Sequence, residues 1–194
     1  MITQSKDAWV TIASLVLVAA AATGDTRAAL ENADLPNVVV RTQDGARVRF
    51  YEDLIKDKVV LINFMFTSCA NQCPRTMANL AKVADQFGDR LRRDVRMISV
   101  TLDPATDTPT VLKDYSRRYG TKPGWYFVTG LQKDIDAIRQ RLGMREDTSD
   151  LMQHTGMLIY GNDATDQWAA TPALGQPRAI VRSVMPLISR TADE

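Results

Sequence analysis

The chain has 194 residues, with 24 Lys+Arg against 23 Asp+Glu and a single His, for a formal net charge of +1. That balance supplies no polyelectrolyte field, so nucleic-acid binding is not expected. With 45% hydrophobic and 24% charged residues the composition is that of an ordinary globular protein, neither disordered nor a bundle of membrane spans.

The first element is an apolar segment. Between Asp7 and Asp25 lie 17 uncharged residues, AWVTIASLVLVAAAATG, preceded by Lys6 and ending in small side chains. As a helix this run reaches about 25 Å, short of the roughly 30 Å hydrocarbon core, which suits a secretory signal better than a span. Residues 1–24 are therefore expected to be a signal peptide or membrane anchor, 25–37 a linker and 38–194 one domain. The domain is expected in the periplasm, exported or held at the inner membrane with an N-terminal membrane contact.

Within that domain, residues 38–50 form two β-rich runs around Asp44-Gly45, a hairpin signal. The polar stretch YEDLIKDK follows. Residues 59–66, VVLINFMF, are apolar but for Asn63 and read as a strand buried on both faces. Apolar residues at helical spacing over 77–87, with Gly88 behind them, predict a helix, and 95–100 a further strand. Thr108 and Pro109 predict the N-cap and first position of a helix running to Tyr119, ended by Gly120. A strand over 125–128, a helix over 133–142, a strand over 155–160 closed by Gly161-Asn162-Asp163, and a helix from about 178 to 188 complete the list. This alternation predicts an α/β fold: a central mixed sheet flanked by helices and entered through an N-terminal β-hairpin.

Two cysteines in a chain of this length are no disulfide scaffold, so their role is expected to be chemical. Cys69 follows the most apolar strand, and Cys73 precedes Pro74, which suits the start of a helix. In such sheets reactive groups gather beyond the carboxyl ends of the strands. The unpaired N–H groups of a helix N-terminus there are expected to favour the thiolate of Cys73. In a helical turn, positions i and i+4 place Cβ atoms about 5–6 Å apart, so C-A-N-Q-C suits two sulfur bonds to one metal ion and closes as a disulfide after adjustment. Two thiolates favour a soft ion such as Cu(I), and an imidazole extends the site to Cu(II). His154, the sole histidine, stands before the apolar run TGMLIY and is the candidate third ligand. A structural cysteine pair and a zinc site remain alternatives at this point.

The strings FMFTSCANQCPRT, SVTLDPATDTP and HTGMLIY, in that order, resemble the Sco/SenC family of thioredoxin-like copper proteins. The resemblance spans residues 38–188. It implies a thioredoxin-like fold, copper held by Cys69, Cys73 and His154 as Cu(I) or Cu(II), and a role in assembling the dinuclear copper (CuA) centre of a respiratory oxidase. Its Asp-Pro motif falls on Asp103 and Pro104. Gln153 stands where the family usually has Asp, and the segment NDATDQWAATPALGQP departs from the family's hairpin.

Asp103, at the same sheet edge as the cysteines, is either a second-sphere hydrogen-bond acceptor or a turn aspartate before proline. Asp107 reads as part of a helix start. Met65, Met152 and Met157 read as core, and Trp168, in a polar stretch, as a partner contact. Two functions follow. A copper metallochaperone would pass its ion to a copper-accepting oxidase subunit or another periplasmic copper protein. A thiol-disulfide oxidoreductase would use Cys69 and Cys73 to reduce the recipient's cysteines, with a thioredoxin-like reductant as a further partner. A thioredoxin-like peroxidase fits less well, because Thr67 lies only two residues before Cys69.

Overall fold

A computed structural model describes residues 35–143 and 156–189. The hairpin forms as expected from β1 (Val39–Thr42) and β2 (Arg47–Arg49). Its turn passes through Gly45 at φ +81°, where a side chain would be strained. The stretch after it is not a plain connection. It carries a short helix, α1 (Phe50–Leu54), whose Phe50 and Leu54 are four residues apart and both buried.

The long apolar run becomes β3 (Val59–Met65), with every residue buried. Helix α2 (Gln72–Phe87) begins five residues before the apolar spacing indicates. Pro74 is accommodated because the first turn of a helix has no intrahelical use for its missing N–H. Its buried face carries Cys73, Met77, Leu80, Val83, Ala84 and Phe87, and it stops at Gly88, φ +53°. Strand β4 (Val95–Thr101) follows, then α3 (Pro109–Arg117), where Thr108 Oγ1 accepts the N–H of Val111 at 3.4 Å as the predicted N-cap. Strand β5 (Trp125–Thr129) and helix α4 (Gln132–Arg141) come next. The chain resumes at β6 (Met157–Asn162), β7 (Gln167–Pro172) and α5 (Pro177–Ser189).

All seven strands join one mixed sheet in the order β2-β1-β5-β4-β3-β6-β7. β3 sits inside it, parallel to β4 and antiparallel to β6, which explains a sequence that is apolar at every position but Asn63. β5 is parallel to β4, and β1 joins the sheet antiparallel to β5. Polar groups inside the sheet are paired: Trp125 Nε1–H donates to Ser99 Oγ at 2.9 Å, and Ser99 donates to Asn63 Oδ1 at 2.8 Å.

β7 lies in the segment that the sequence leaves as an irregular polar connection. A short 3-10 turn, Asp163–Thr165, and Asp166 at φ +48° reverse the chain, and β7 pairs with β6 along its whole length. Trp168 is therefore buried, 5% exposed, rather than offered to a partner. It packs on Gly161, where a Cβ would stand 2.5 Å from the indole, so only glycine admits it. Asn79 Nδ2 of α2 donates to the carbonyls of Ala173 and Gly175 at 2.9 and 2.8 Å, fixing the β7–α5 connection against α2.

This topology gathers the carboxyl ends of β3, β4 and β5, the start of β6 and the end of β7 at one end of the sheet. Among the described residues no helix is long and apolar enough to cross a membrane. Residues 1–24, Met152, Gln153 and His154 lie outside the described residues.

Candidate functional site

β3 delivers the chain to a tight turn in which the N–H of Cys69 donates to the carbonyl of Phe66 at 3.3 Å. Both cysteines are thiols, and both are buried, Cys69 at 4% and Cys73 at 0% exposure. α2 starts at Gln72, so Cys73 occupies its second position with its side chain in the core. Its backbone N–H points back and donates to Cys69 Sγ at 3.3 Å. Asn71, at the N-cap position, makes no side-chain cap, so the Cys69 sulfur takes the role of a capping acceptor.

The helix end therefore acts on the sulfur of Cys69. Burial pushes the Cys69 thiol up, but hydrogen bonding from the Cys73 side chain and from the backbone N–H groups of Cys73, Asn71 and Gln72 outweighs it and holds Cys69 below the ordinary thiol range. The helix begins earlier than the apolar spacing implies, and its orphan N–H groups therefore face the preceding residues. Iodoacetamide labelling mapped by tandem mass spectrometry should find Cys69 modified before Cys73. The midpoint of its rate-pH profile should fall below the roughly 8.5 of an unperturbed thiol, with thiolate reactivity lost as pH drops through that lower midpoint. A midpoint at or above the unperturbed value would contradict the capping role.

Asp103 lies in the loop after β4, at the same sheet end. Its Oδ1 accepts the N–H of Thr106 at 3.3 Å and its carbonyl accepts the N–H of Asp107 at 2.8 Å, so its described contacts are those of a turn residue. The residue that sequence reasoning undervalues is Asp107. Thr108, not Asp107, caps α3, and Asp107 is fully buried. It accepts the N–H of Thr67 at 3.1 Å, the hydroxyl of Thr67, and the hydroxyl of Thr101 at 2.5 Å. The available signal was the second Asp of SVTLDPATDTP, which the Thr-Pro helix start masked.

The third element at the site is the entry to β6. Gly156 is half-buried, and a Cβ there would stand 2.9 Å from Gln72 Nε2, inside the C-A-N-Q-C segment. The chain entering β6 is thus packed directly on the cysteine loop. Of the methionines at issue, Met65 is fully buried in β3 and Met157 is 42% exposed beside the loop. Phe64, Phe66 and Trp125 are core. Among the described residues no cluster of three or more His, Cys, Asp or Glu forms a metal site; the two described sulfur donors fit a soft cation. Among the described residues the exposed large apolar side chains are Val39, Val111, Leu131, Met157 and Leu174. All five lie at the cysteine end of the sheet.

A family model described as SCO1/SenC matches residues 40–188. The SCO1 protein homolog of Bacillus subtilis (strain 168) is 31% identical over 107 residues, 54% of this chain and 54% of its own length. The chain spans about half the length of the curated relatives it matches. Among solved structures, BsSco, described as a member of the Sco family of cytochrome c oxidase assembly proteins in which a disulfide switch was identified, superposes with a TM-score of 0.66. Its sequence identity is 24%, covering 78% of this chain and 91% of that one. Yeast Sco1 with copper bound gives a TM-score of 0.63 at 18% identity, covering 78% and 89%. The architecture is thus the expected thioredoxin-like one.

Proposed function

The chain belongs to the SCO1/SenC family, and from that membership and the paired thiols we propose that it is a copper metallochaperone acting in respiratory oxidase assembly, with the CuA centre or a similar copper site as recipient. Copper is its cargo. Cys69 and Cys73 supply the two sulfur donors and His154 the nitrogen that allows Cu(II) as well as Cu(I) to be held. The observation that carries the reading is the packing of Gly156 on Gln72. In this reading His154, which precedes Gly156 by two positions in the sequence, supplies the third donor.

Residues 1–24 serve as signal or anchor in this reading, which puts residues 38–194 on the periplasmic side. The recipient docks on the cysteine end, where Val39, Val111, Leu131, Met157 and Leu174 give it apolar contact. Transfer then proceeds by ligand exchange, with the recipient's donors replacing Cys69, Cys73 and His154 in turn. Asp103, half-buried at this edge, is available to groups that approach the site.

A second reading is favoured by the hydrogen bond from Cys73 N–H to Cys69 Sγ, which stabilises an attacking thiolate. In it Cys69 attacks a recipient disulfide, Cys73 resolves the mixed disulfide, and the recipient leaves as a dithiol while Cys69–Cys73 is oxidised. A thioredoxin-like dithiol restores the pair. Thiolates engaged with copper do not attack disulfides, and an oxidised pair does not bind copper, so redox state selects between the two activities.

The test is copper titration of the reduced protein and of His154→Ala. One copper per chain and an intense thiolate-to-Cu(II) absorption are expected for the unmodified protein. His154→Ala should lower Cu(II) affinity by at least about tenfold and change that band, with a smaller effect on Cu(I). An unchanged Cu(II) affinity and spectrum in the variant would overturn the three-donor site.

A further inference from the structure

Asp107 is a carboxylate at zero exposure, and no Lys or Arg forms an ion pair with it among the described residues. Burying such a group is unfavourable unless its oxygens are well satisfied, and an apolar side chain of similar size would be cheaper if the position only had to fill space. Its partners indicate what it does. The N–H and hydroxyl of Thr67 come from the turn beyond β3, and the hydroxyl of Thr101 from the end of β4. Thr101 Oγ1 in turn accepts the N–H of Asp103 at 3.0 Å, and the N–H of Leu102 donates to the Met65 carbonyl at 2.8 Å. Asp107 therefore staples the ends of two neighbouring parallel strands, and Thr67, which it holds by two groups, is two residues from Cys69.

We infer that Asp107 is a positioning residue for the thiol pair: through Thr67 it sets where Cys69 Sγ stands relative to Cys73. A disulfide needs Cβ atoms about 3.5–4.5 Å apart, so a small displacement of the turn changes both the ease of closure and the contact of Cys69 Sγ with the helix N–H groups. Asp107 touches neither sulfur and acts only through the Thr67 turn. The inference rests on the reading of Cys69 and Cys73 as the reactive pair, but it needs no copper.

The test uses Asp107→Asn, Thr67→Val, Thr67→Ser and, as a control, Ile138→Val in the fully buried face of α4. In Asp107→Asn one acceptor oxygen becomes a donor. Thr67→Val loses the hydroxyl but keeps the N–H, and Thr67→Ser keeps both. Three quantities are read on each: the alkylation rate of Cys69 at fixed pH, the disulfide equilibrium constant against dithiothreitol, and the thermal midpoint. Asp107→Asn and Thr67→Val should each shift the alkylation rate by about fivefold or more and the equilibrium constant by about tenfold, while Thr67→Ser stays within about twofold of the parent. Ile138→Val should lower the thermal midpoint and leave both thiol quantities unchanged.

Folded Asp107→Asn and Thr67→Val proteins with parental thiol chemistry would overturn the inference, as would an equal shift in Ile138→Val. If Asp107→Asn does not fold, the Thr67→Val and Thr67→Ser pair decides alone. Failure of the parent to bind copper would leave these thiol measurements standing, so the two readings fail separately.

Discussion

Replacing either Cys69 or Cys73 with Ser is expected to abolish copper retention, a larger loss than any other single substitution in this protein should produce. A serine hydroxyl is a hard donor that stays protonated at neutral pH, whereas soft copper is held by the thiolate. In the proposed site the loss of one sulfur would leave a lone thiolate and one imidazole, too few donors to keep Cu(I) against a competing chelator. The measurement is copper content after dialysis against a Cu(I) chelator, with the absorption spectrum of the oxidised form. Both variants should emerge without metal and without the charge-transfer band, while far-UV circular dichroism stays that of the parent. The thiol to hydroxyl change at Cys73, fully buried, is also expected to cost some stability. Full copper retention by either variant would remove the dithiol site, whatever His154 does.

Phe127→Ala is expected to be the most damaging core substitution, lowering stability by about 3–5 kcal/mol. Phe127 lies in β5 at zero exposure, with its ring stacked on Trp125 at 5.4 Å and meeting Tyr115 edge-on at 6.4 Å. Truncation removes both aromatic contacts and leaves a cavity between the sheet and α3. For a domain of this size the loss corresponds to roughly 6–20 °C in the thermal midpoint, readable by calorimetry. Burial pushes the Tyr115 hydroxyl well above the usual tyrosine range, and Tyr119 beside it and the charges of Cys73 and Cys69 act in the same direction. A stability change below about 1 kcal/mol would show that the α3 side of the sheet closes over the gap.

Much of this molecule is legible along the chain because the signals are local. VVLINFMF specifies a doubly covered strand because its one polar residue, Asn63, gives it no alternating polar face to turn outward; its place inside the seven-stranded sheet follows that composition. Thr108-Pro109 starts α3 and Gly120 follows its end, because caps act within one turn. The two cysteines at a strand-to-helix junction, and their proximity to each other, are likewise matters of a few residues.

The tertiary structure decided everything that depends on pairing between distant segments. QWAATP has little intrinsic strand character, and it becomes β7 because β6 offers an edge and Gly161 leaves room for Trp168. Asp107 looks like a helix-start residue until β3 and β4 bring Thr67 and Thr101 to it. The sulfur of Cys69 accepts the N–H of Cys73 because the turn after β3 folds back onto the start of α2. Composition and local spacing thus determined which elements form and which donors exist, since these rest on interactions within about one turn or one strand. Which sulfur is activated, and which segment stands beside it, was decided by strand order and packing, because those energies exist only once residues far apart in the chain are in contact.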